Sequence, residues 1–160
     1  MKKKIDDRLS LYFHSLYPYK ASQKSNKRNK AYLGIGGNIS NVQRRFKKLF
    51  ISLKDDGRFS IEQTSPILKN PPFGYLLQED FYNAIIVCKT NLSAMQTLKV
   101  MQRYEKRFKR VRSFQDAPRT LDIDILYFNN EKNKSKVLTL PHPGAKIRQS
   151  VTIPMDYLKN

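Results

Sequence analysis

Two stretches of this chain repeat their apolar residues at helical spacing, and each is bracketed by short runs with strand character, which leaves few folds open. AYLGIG (31–36) is a short apolar run ending in glycines. After it Val42, Phe46, Leu49, Phe50 and Leu53 recur on one helical face, while Arg44, Arg45, Lys47 and Lys48 fall on the face left to water. Asn38 or Ser40 can cap that helix, and the glycines are expected to make the tight turn into it. FSIEQTSPIL (59–68) alternates like a half-buried strand, KNPPFGYLLQED (69–80) is a loop broken by prolines and a glycine, and FYNAIIVCKT (81–90) is a strong strand. Ser93 and Gln96 form a capping-box signature ahead of a second helix, whose apolar face uses Ala94, Leu98, Met101, Phe108 and either Tyr104 or Glu105. A basic loop, RFKRVRSFQDA (107–117), leads to the strand TLDIDILYF (120–128), and residues 129–160 read as loop with short elements. The order β-α-β-β-α-β predicts an α+β sandwich of the ferredoxin-like, split β-α-β kind: an antiparallel sheet with two helices packed on one face.

A chain of 160 residues is expected to form one globular unit with a proper core. Residues 1–30 hold 9 basic and 2 acidic side chains and include the aperiodic stretch KASQKSNKRNK (20–30), so they read as a basic N-terminal extension. That extension is expected to be partly disordered, with LSLYFHSLYPY (9–19) docking as a short helix. The single cysteine, Cys88, lies in an apolar segment and reads as buried filler rather than a nucleophile. No stretch approaches the roughly 18 apolar residues of a spanning helix, and the N-terminus lacks the apolar core of a signal peptide. A cytoplasmic, monomeric protein without a membrane partner is the expectation.

Charge narrows the partners. There are 31 Lys and Arg against 13 Asp and Glu, a net of +18, which would attract nucleic acid, acidic lipid or a polyphosphate ligand. In TLDIDILYF the period of a strand puts Asp122 and Asp124 on one face, roughly 7 Å apart, with Ile123 and Ile125 on the other. Two such carboxylates repel and resist burial unless cations sit between them, and hard oxygen ligands on a rigid strand suit Mg²⁺ bound together with substrate phosphates. Arg119 stands just before them behind Pro118, and Arg103, Lys106, Arg107, Lys109, Arg110 and Arg112 outnumber Glu105 and Asp116 in and around the preceding loop. Carboxylates beside an arginine-rich loop are the layout expected for phosphoryl transfer. His142, held between two prolines, and Arg148 downstream are further phosphate candidates. GIGGN (34–38) lacks the Gly-Lys-Ser/Thr of a phosphate loop. Asn83 is a polar group inside an apolar strand and must find hydrogen-bond partners in the core or on a ligand.

AYLGIGGN, the Thr64-Ser65-Pro66 stretch, QEDFYNA, APRTLDIDILYF and LPHPGAKIR occur in an order and spacing that resembles the hydroxymethyl-dihydropterin pyrophosphokinases of folate biosynthesis. The resemblance covers residues 31 to about 158 and implies that 31–160 form the catalytic domain. It implies transfer of the terminal pyrophosphate of ATP, as co-substrate, to the hydroxymethyl group of 6-hydroxymethyl-7,8-dihydropterin, with release of AMP. By the same resemblance Asp122 and Asp124 hold two Mg²⁺ ions, and Arg110 and Arg119 engage the phosphates as catalytic residues. Ile125, His142 and Arg148 fall at ATP-binding positions, and Thr64, Ser65, Ile67, Phe81 and Asn83 at pterin-binding ones. The chain departs from the family pattern at Asp116 and Ala117, where an aromatic residue and a glycine are usual, and at Ser150, near which a second pterin-stacking aromatic is usual. Phe114 or Tyr75 could take over that stacking. The rival readings are a diverged Mg-nucleotide transferase with another acceptor, which the departures permit, and an RNA-binding ferredoxin-like module. The latter would need an aromatic RNP1-type pattern that is absent here, so no nucleic-acid partner is expected despite the charge.

Overall fold

The computed structural model describes residues 1–72, 74–109 and 118–158. In chain order the elements are β1 (Lys2–Lys4), β2 (Ser10–Tyr12), β3 (Tyr19–Lys20), β4 (Asn29–Gly37), α1 (Val42–Asp55), β5 (Phe59–Thr64), β6 (Ile67–Asn70), β7 (Phe81–Thr90), α2 (Ala94–Arg107), β8 (Asp122–Phe128), β9 (Asn133–Lys134), β10 (Thr139–Leu140) and α3 (Gln149–Asp156). Strands β1 to β8 form one sheet in the order β1-β2-β6-β7-β4-β8, with β5 pairing β7 and β3, and every one of these pairings is antiparallel. The small hairpin β9-β10 stands apart. The expected β-α-β-β-α-β core is present as β4-α1-β5/β6-β7-α2-β8, an α+β sandwich with helices packed on an antiparallel sheet.

The periodicities explain which side each element buries. Val42, Phe46, Leu49, Phe50 and Leu53 of α1 and Val100, Met101 and Tyr104 of α2 share one core with Leu33, Ile35, Ile86, Cys88, Ile123 and Ile125 of the sheet. Cys88 is fully buried there, and burial pushes its thiol up to about 12, so it packs and does not react. The other face of the same strands carries Ile85, Val87 and Leu126, which pack against Val151 of α3. The helix-facing side is therefore closed by apolar packing, and the opposite side is only partly covered by α3. That asymmetry leaves room for a site.

Several local expectations change. The 59–68 run is two strands parted at Ser65 and Pro66: Pro66 has no amide to donate, and the Ile85 amide donates to the Ser65 hydroxyl (2.8 Å), which itself donates to the Pro66 carbonyl (2.8 Å). The cap of α1 is Asn41, whose side chain accepts from the Arg44 amide at 3.1 Å. Ser40 takes a left-handed backbone (φ 61°), which is unsuited to an N-cap, and Asn38 is used elsewhere. The Ser93–Gln96 capping box is present, and the buried stripe of α2 takes in Thr97 and Val100, with both Tyr104 and Glu105 inside. Within 129–160, residues 149–156 form the helix α3.

The largest difference lies at the N-terminus. Residues 9–19 do not dock as a helix; β2 pairs with β6 and β3 with β5, extending the sheet. The reason is alternation: Leu9 and Leu11 point inward onto Leu68, beneath Ile153 and Tyr157 of the C-terminal segment, and an open edge of β6 offers the backbone partners. Tyr17 is buried among Phe46 and Phe50, with its hydroxyl donating to the Phe46 carbonyl at 2.8 Å. Burial of this kind has a measurable consequence. Leu11→Ala should lower unfolding stability by about 2–5 kcal/mol in urea titrations; a loss below about 0.5 kcal/mol would show that β2 is not docked.

Candidate active site

The uncovered part of the sheet is the floor of a cavity of about 760 Å³. Its floor includes Asp122, Asp124 and Leu126 of β8, Gly34 and Gly36 of β4, and Phe81 and Asn83 of β7. His142 and residues 147–151, at the start of α3, line it as well. Register explains the room: Gly34 lies beside Asp124 and Gly36 beside Asp122, with Asn83 on the far side of Gly36. A Cβ at Gly36 would sit 2.7 Å from Asn83 Oδ1, and one at Gly34 would press on Leu126 at 3.2 Å. Gly36 is thus required by close approach across the sheet rather than by a turn, and both glycines lie within β4.

At the β8 end the charges are tightly arranged. The Arg119 guanidinium lies 3.6 Å from Asp122 Oδ2 and stacks at 6.0 Å over the Phe81 ring. His142 Nε2 lies 3.8 Å from Asp124 Oδ2, while Nδ1 accepts the Gly144 amide at 3.0 Å, which places the proton of the neutral ring on Nε2. Burial, then the charge of Arg148, lower the His142 pKa, so the ring is neutral near pH 7. Burial, followed by the carboxylates of Asp122 and Glu105, raises Asp124 to about 7 against the pull of Arg148 and Arg119. Because 43% of the Asp124 side chain remains exposed, solvent softens the burial effect and leaves the neighbouring carboxylates a larger share of the rise.

The backbone beneath these groups is pinned from several directions. Asn38 Oδ1 accepts from the Arg119 amide (2.9 Å), and its Nδ2 donates to Gln78 Oε1 (2.8 Å) and to the Glu79 carbonyl (2.9 Å). Arg45 of α1 donates to the carbonyls of Ile39 (2.9 Å) and Thr120 (2.8 Å). Glu105 of α2 accepts the Ile123 amide at 2.8 Å, from the core side of the strand. The His142 amide donates to the Leu126 carbonyl at 2.9 Å, tying the Pro-His-Pro segment to β8. At the other end of the cavity, Asn83 Nδ2 donates to Asn70 Oδ1 at 2.6 Å, which fixes the Asn83 amide beside Phe81.

A cavity with two carboxylates, arginines and a neutral imidazole at one end, and an aromatic ring with an oriented amide at the other, suits a charged polyphosphate next to a flat polar ring. The model of the 7,8-dihydro-6-hydroxymethylpterin-pyrophosphokinase family matches residues 32–160. The chain belongs to that family. It is 47% identical over 128 residues to a 2-amino-4-hydroxy-6-hydroxymethyldihydropteridine pyrophosphokinase of Campylobacter jejuni, covering 80% of this chain and 82% of the relative. Enzymes of the same description from Helicobacter pylori (43% over 129 residues, 79% of each chain) and Bacillus subtilis (32% over 127 residues, 79% of this chain and 76% of the relative) are also similar.

Of the residues expected for a pyrophosphokinase site, Asp122, Asp124, Arg119, His142, Arg148, Phe81 and Asn83 come together in the cavity. Arg110 lies outside the described residues, as do Phe114, Asp116 and Ala117. Four others do not offer side chains to it. Ile125 and Ile67 are buried in the helix-facing core, Thr64 donates its hydroxyl to the Leu16 carbonyl at 2.6 Å, and the Ser65 hydroxyl is used within the sheet. Any contact they make with a ligand would be through the backbone. Ser150 lines the cavity. Sequence reading missed Asn38, Asn70, Arg45 and Glu105. Asn38 and Arg45 looked like a cap and a solvated cation; a polar residue directly before Pro71 and a glutamate on an apolar helical stripe were the available signals for Asn70 and Glu105.

The electrostatics of this pyrophosphokinase site are testable without ligand. In Asp122→Asn the carboxyl of Asp124 should titrate at lower pH than in the wild type, by roughly one unit, when followed by carbon NMR of the side-chain carboxyls. An unchanged titration would mean that the two groups do not share a field.

Proposed function

We propose that this enzyme transfers the terminal pyrophosphate of ATP to the hydroxymethyl group of 6-hydroxymethyl-7,8-dihydropterin and releases AMP, a step of folate biosynthesis. The observation that carries the reading is that one cavity has Asp122, Asp124, Arg119, His142 and Arg148 towards β8 and Phe81 and Asn83 on β7. Both substrates can then lie along one floor, with the acceptor hydroxyl directed at the phosphates. Membership of the family supports the same chemistry.

Each residue has a role in this reading. Arg119 and Arg148 bring fixed positive charge to the phosphate oxygens, and Arg119, braced over Phe81, links the two ends of the site. His142 donates its Nε2 proton to a phosphate oxygen. Phe81 packs on the pterin ring, and Asn83, oriented by Asn70, reads the pterin's hydrogen-bonding edge. Arg110 would approach the phosphates from its loop. In the transfer the acceptor oxygen bonds to the β-phosphorus and the bond from that phosphorus to the α–β bridging oxygen breaks. AMP departs with that oxygen, and the hydroxyl proton is released. With reactants held in line, positioning accounts for much of the acceleration.

The donor set fits Mg²⁺. Asp122 and Asp124 are two hard oxygen donors whose mutual repulsion a cation would relieve, and among the described residues no cluster of three or more His, Cys, Asp or Glu competes with them. Two protein carboxylates suit ions that complete their shells with phosphate oxygens and water, and two Mg²⁺ ions are part of the proposal. Such ions would supply charge neutralisation at the phosphates. The enzyme is further proposed to act as a cytoplasmic monomer without a nucleic-acid partner. Among the described residues no helix is long and apolar enough to cross a membrane.

Phosphorus NMR of the protein with Mg-ATP should show AMP only when the hydroxymethyl-dihydropterin is added; AMP formed without it, or tight nucleotide binding with no turnover, would move the reading to a transferase with another acceptor. Asp122→Ala and Asp124→Ala should each reduce turnover by at least roughly a hundredfold, and near-normal rates in both would remove the carboxylates from the site. The raised carboxyl of Asp124 also sets a pH dependence. A cation must displace its proton, so affinity for the Mg²⁺ complex of a non-hydrolysable ATP analogue should rise from about pH 6 to about pH 8 and fall again on acidification. Calorimetry at the two pH values measures it, and Asp124→Asn should flatten the slope.

A further inference from the structure

The cavity has a wall that the family match does not include. The match begins at residue 32, yet Asp6, Arg8 and Leu9 line the same cavity as Asn83 and Asp122. This segment is built, not loosely draped. Asp6 Oδ1 accepts the amides of Arg8 (2.7 Å) and Leu9 (2.8 Å), closing a turn between β1 and β2. Leu9 and Leu11 anchor that turn on Leu68, and Phe13 meets Tyr157 edge to face at 6.2 Å. Arg8, at the turn's end, is exposed and makes no side-chain hydrogen bond or ion pair among the described residues, so its guanidinium is available to a ligand.

Sheet order says which ligand. β8 is separated from β2 by β4, β7 and β6, and four strand spacings of about 4.8 Å put β2 roughly 19 Å from Asp122 and Asp124. An arginine side chain cannot span that to the phosphates. Phe81 and Asn83 are on β7, only two strands from β2, and pair with Asn70 and Leu68 of the intervening β6, whose register with β2 runs Ser10 to Lys69. Arg8 therefore stands at the acceptor end. Arg148 to Val151 border the same space, and the side chain presented there at position 150 is a small serine. The acceptor heterocycle, with Phe81 and Asn83 on its sheet side, is left with a neighbouring face or edge that a planar guanidinium can cover.

We propose that the Asp6–Leu9 turn is a wall of the acceptor pocket and that Arg8 is an acceptor-binding residue, contacting the pterin ring by stacking or by hydrogen bonds to its oxygen and nitrogen edge. The inference rests on the acceptor site given under the proposed function. Because Arg8 is exposed and its side chain supports no fold contact, Arg8→Ala should fold normally. Calorimetric titration of the full chain with 6-hydroxymethyl-7,8-dihydropterin, in the presence of the Mg²⁺ complex of a non-hydrolysable ATP analogue, is the test. Arg8→Ala should weaken acceptor binding roughly tenfold and leave binding of the ATP analogue unchanged, while Lys132→Ala, which removes an exposed cation elsewhere, should change neither. Unchanged acceptor affinity in Arg8→Ala, or an equal loss in Lys132→Ala, overturns the proposal. Asn83→Ala separates the two readings. If it weakens acceptor binding while Arg8→Ala does not, only the N-terminal wall falls; if neither variant weakens it, the acceptor pocket itself is misplaced, and the role of Arg8 falls with it.

Discussion

Asp122 and Asp124 stand on one face of β8 with no side chain beside them on β4, because Gly34 and Gly36 are their partners in register. The Asp122 charge helps to raise the pKa of Asp124, and two such charges resist burial together, so most of what surrounds them either compensates the charge or keeps the space above it open. Arg119 compensates Asp122, the neutral His142 faces Asp124 without adding a fixed charge, and the glycines keep the floor flat. Glu105 makes the problem worse electrostatically, yet it holds the Ile123 amide from the core side. A strand that must keep repelling groups in place needs such a fastening, and its cost in charge is one more reason for the site to attract cations.

The fold separates two tasks by sheet face. The side under α1 and α2 is sealed with aliphatic and aromatic packing and supplies cohesion. The opposite side is covered only in part, by α3 and the segments around it, and its central strip is the open floor of the cavity. Residues of the sealed face still act on the open one. Arg45 and Glu105 reach from the helices to the backbone of 120–123, so the geometry of the carboxylates is set by elements that no ligand would touch.

Legibility in the sequence followed the range of the interaction. Elements defined by their own periodicity, α1, β7 and β8, were readable because an apolar stripe or alternation is a local property. The shared face of Asp122 and Asp124 was readable because strand geometry constrains neighbours in sequence, whereas the placing of His142 beside them came from the resemblance. Asn38 was not, since its three side-chain hydrogen bonds go to residues 40 or more positions away, and as a residue before a helix it looks like any cap. The N-terminal strands were misread for a related reason. The alternation of Leu9 and Leu11 is too short to distinguish strand from helix, and what decides it is the unpaired edge of β6. Thr64, Ser65, Ile67 and Ile125 lie at the positions the resemblance implied, but their side chains serve the core. A motif locates the backbone without saying which way a side chain turns.

Both ends of the chain meet beside the cavity. Phe13 and Leu9 from the N-terminal segment and Ile153 and Tyr157 from the C-terminal one form a single apolar cluster, with Lys3 donating to the Tyr157 hydroxyl at 3.4 Å. The cluster fixes α3 on the sheet, and the start of α3 is the segment that brings Arg148 to the cavity. Arg148 in turn depends on Gly144, where a Cβ would stand 2.6 Å from its side chain. The position of one arginine of the cavity is thereby coupled to packing between the two termini. On this view the N-terminal strands act on the cavity through packing, as the partner that positions α3.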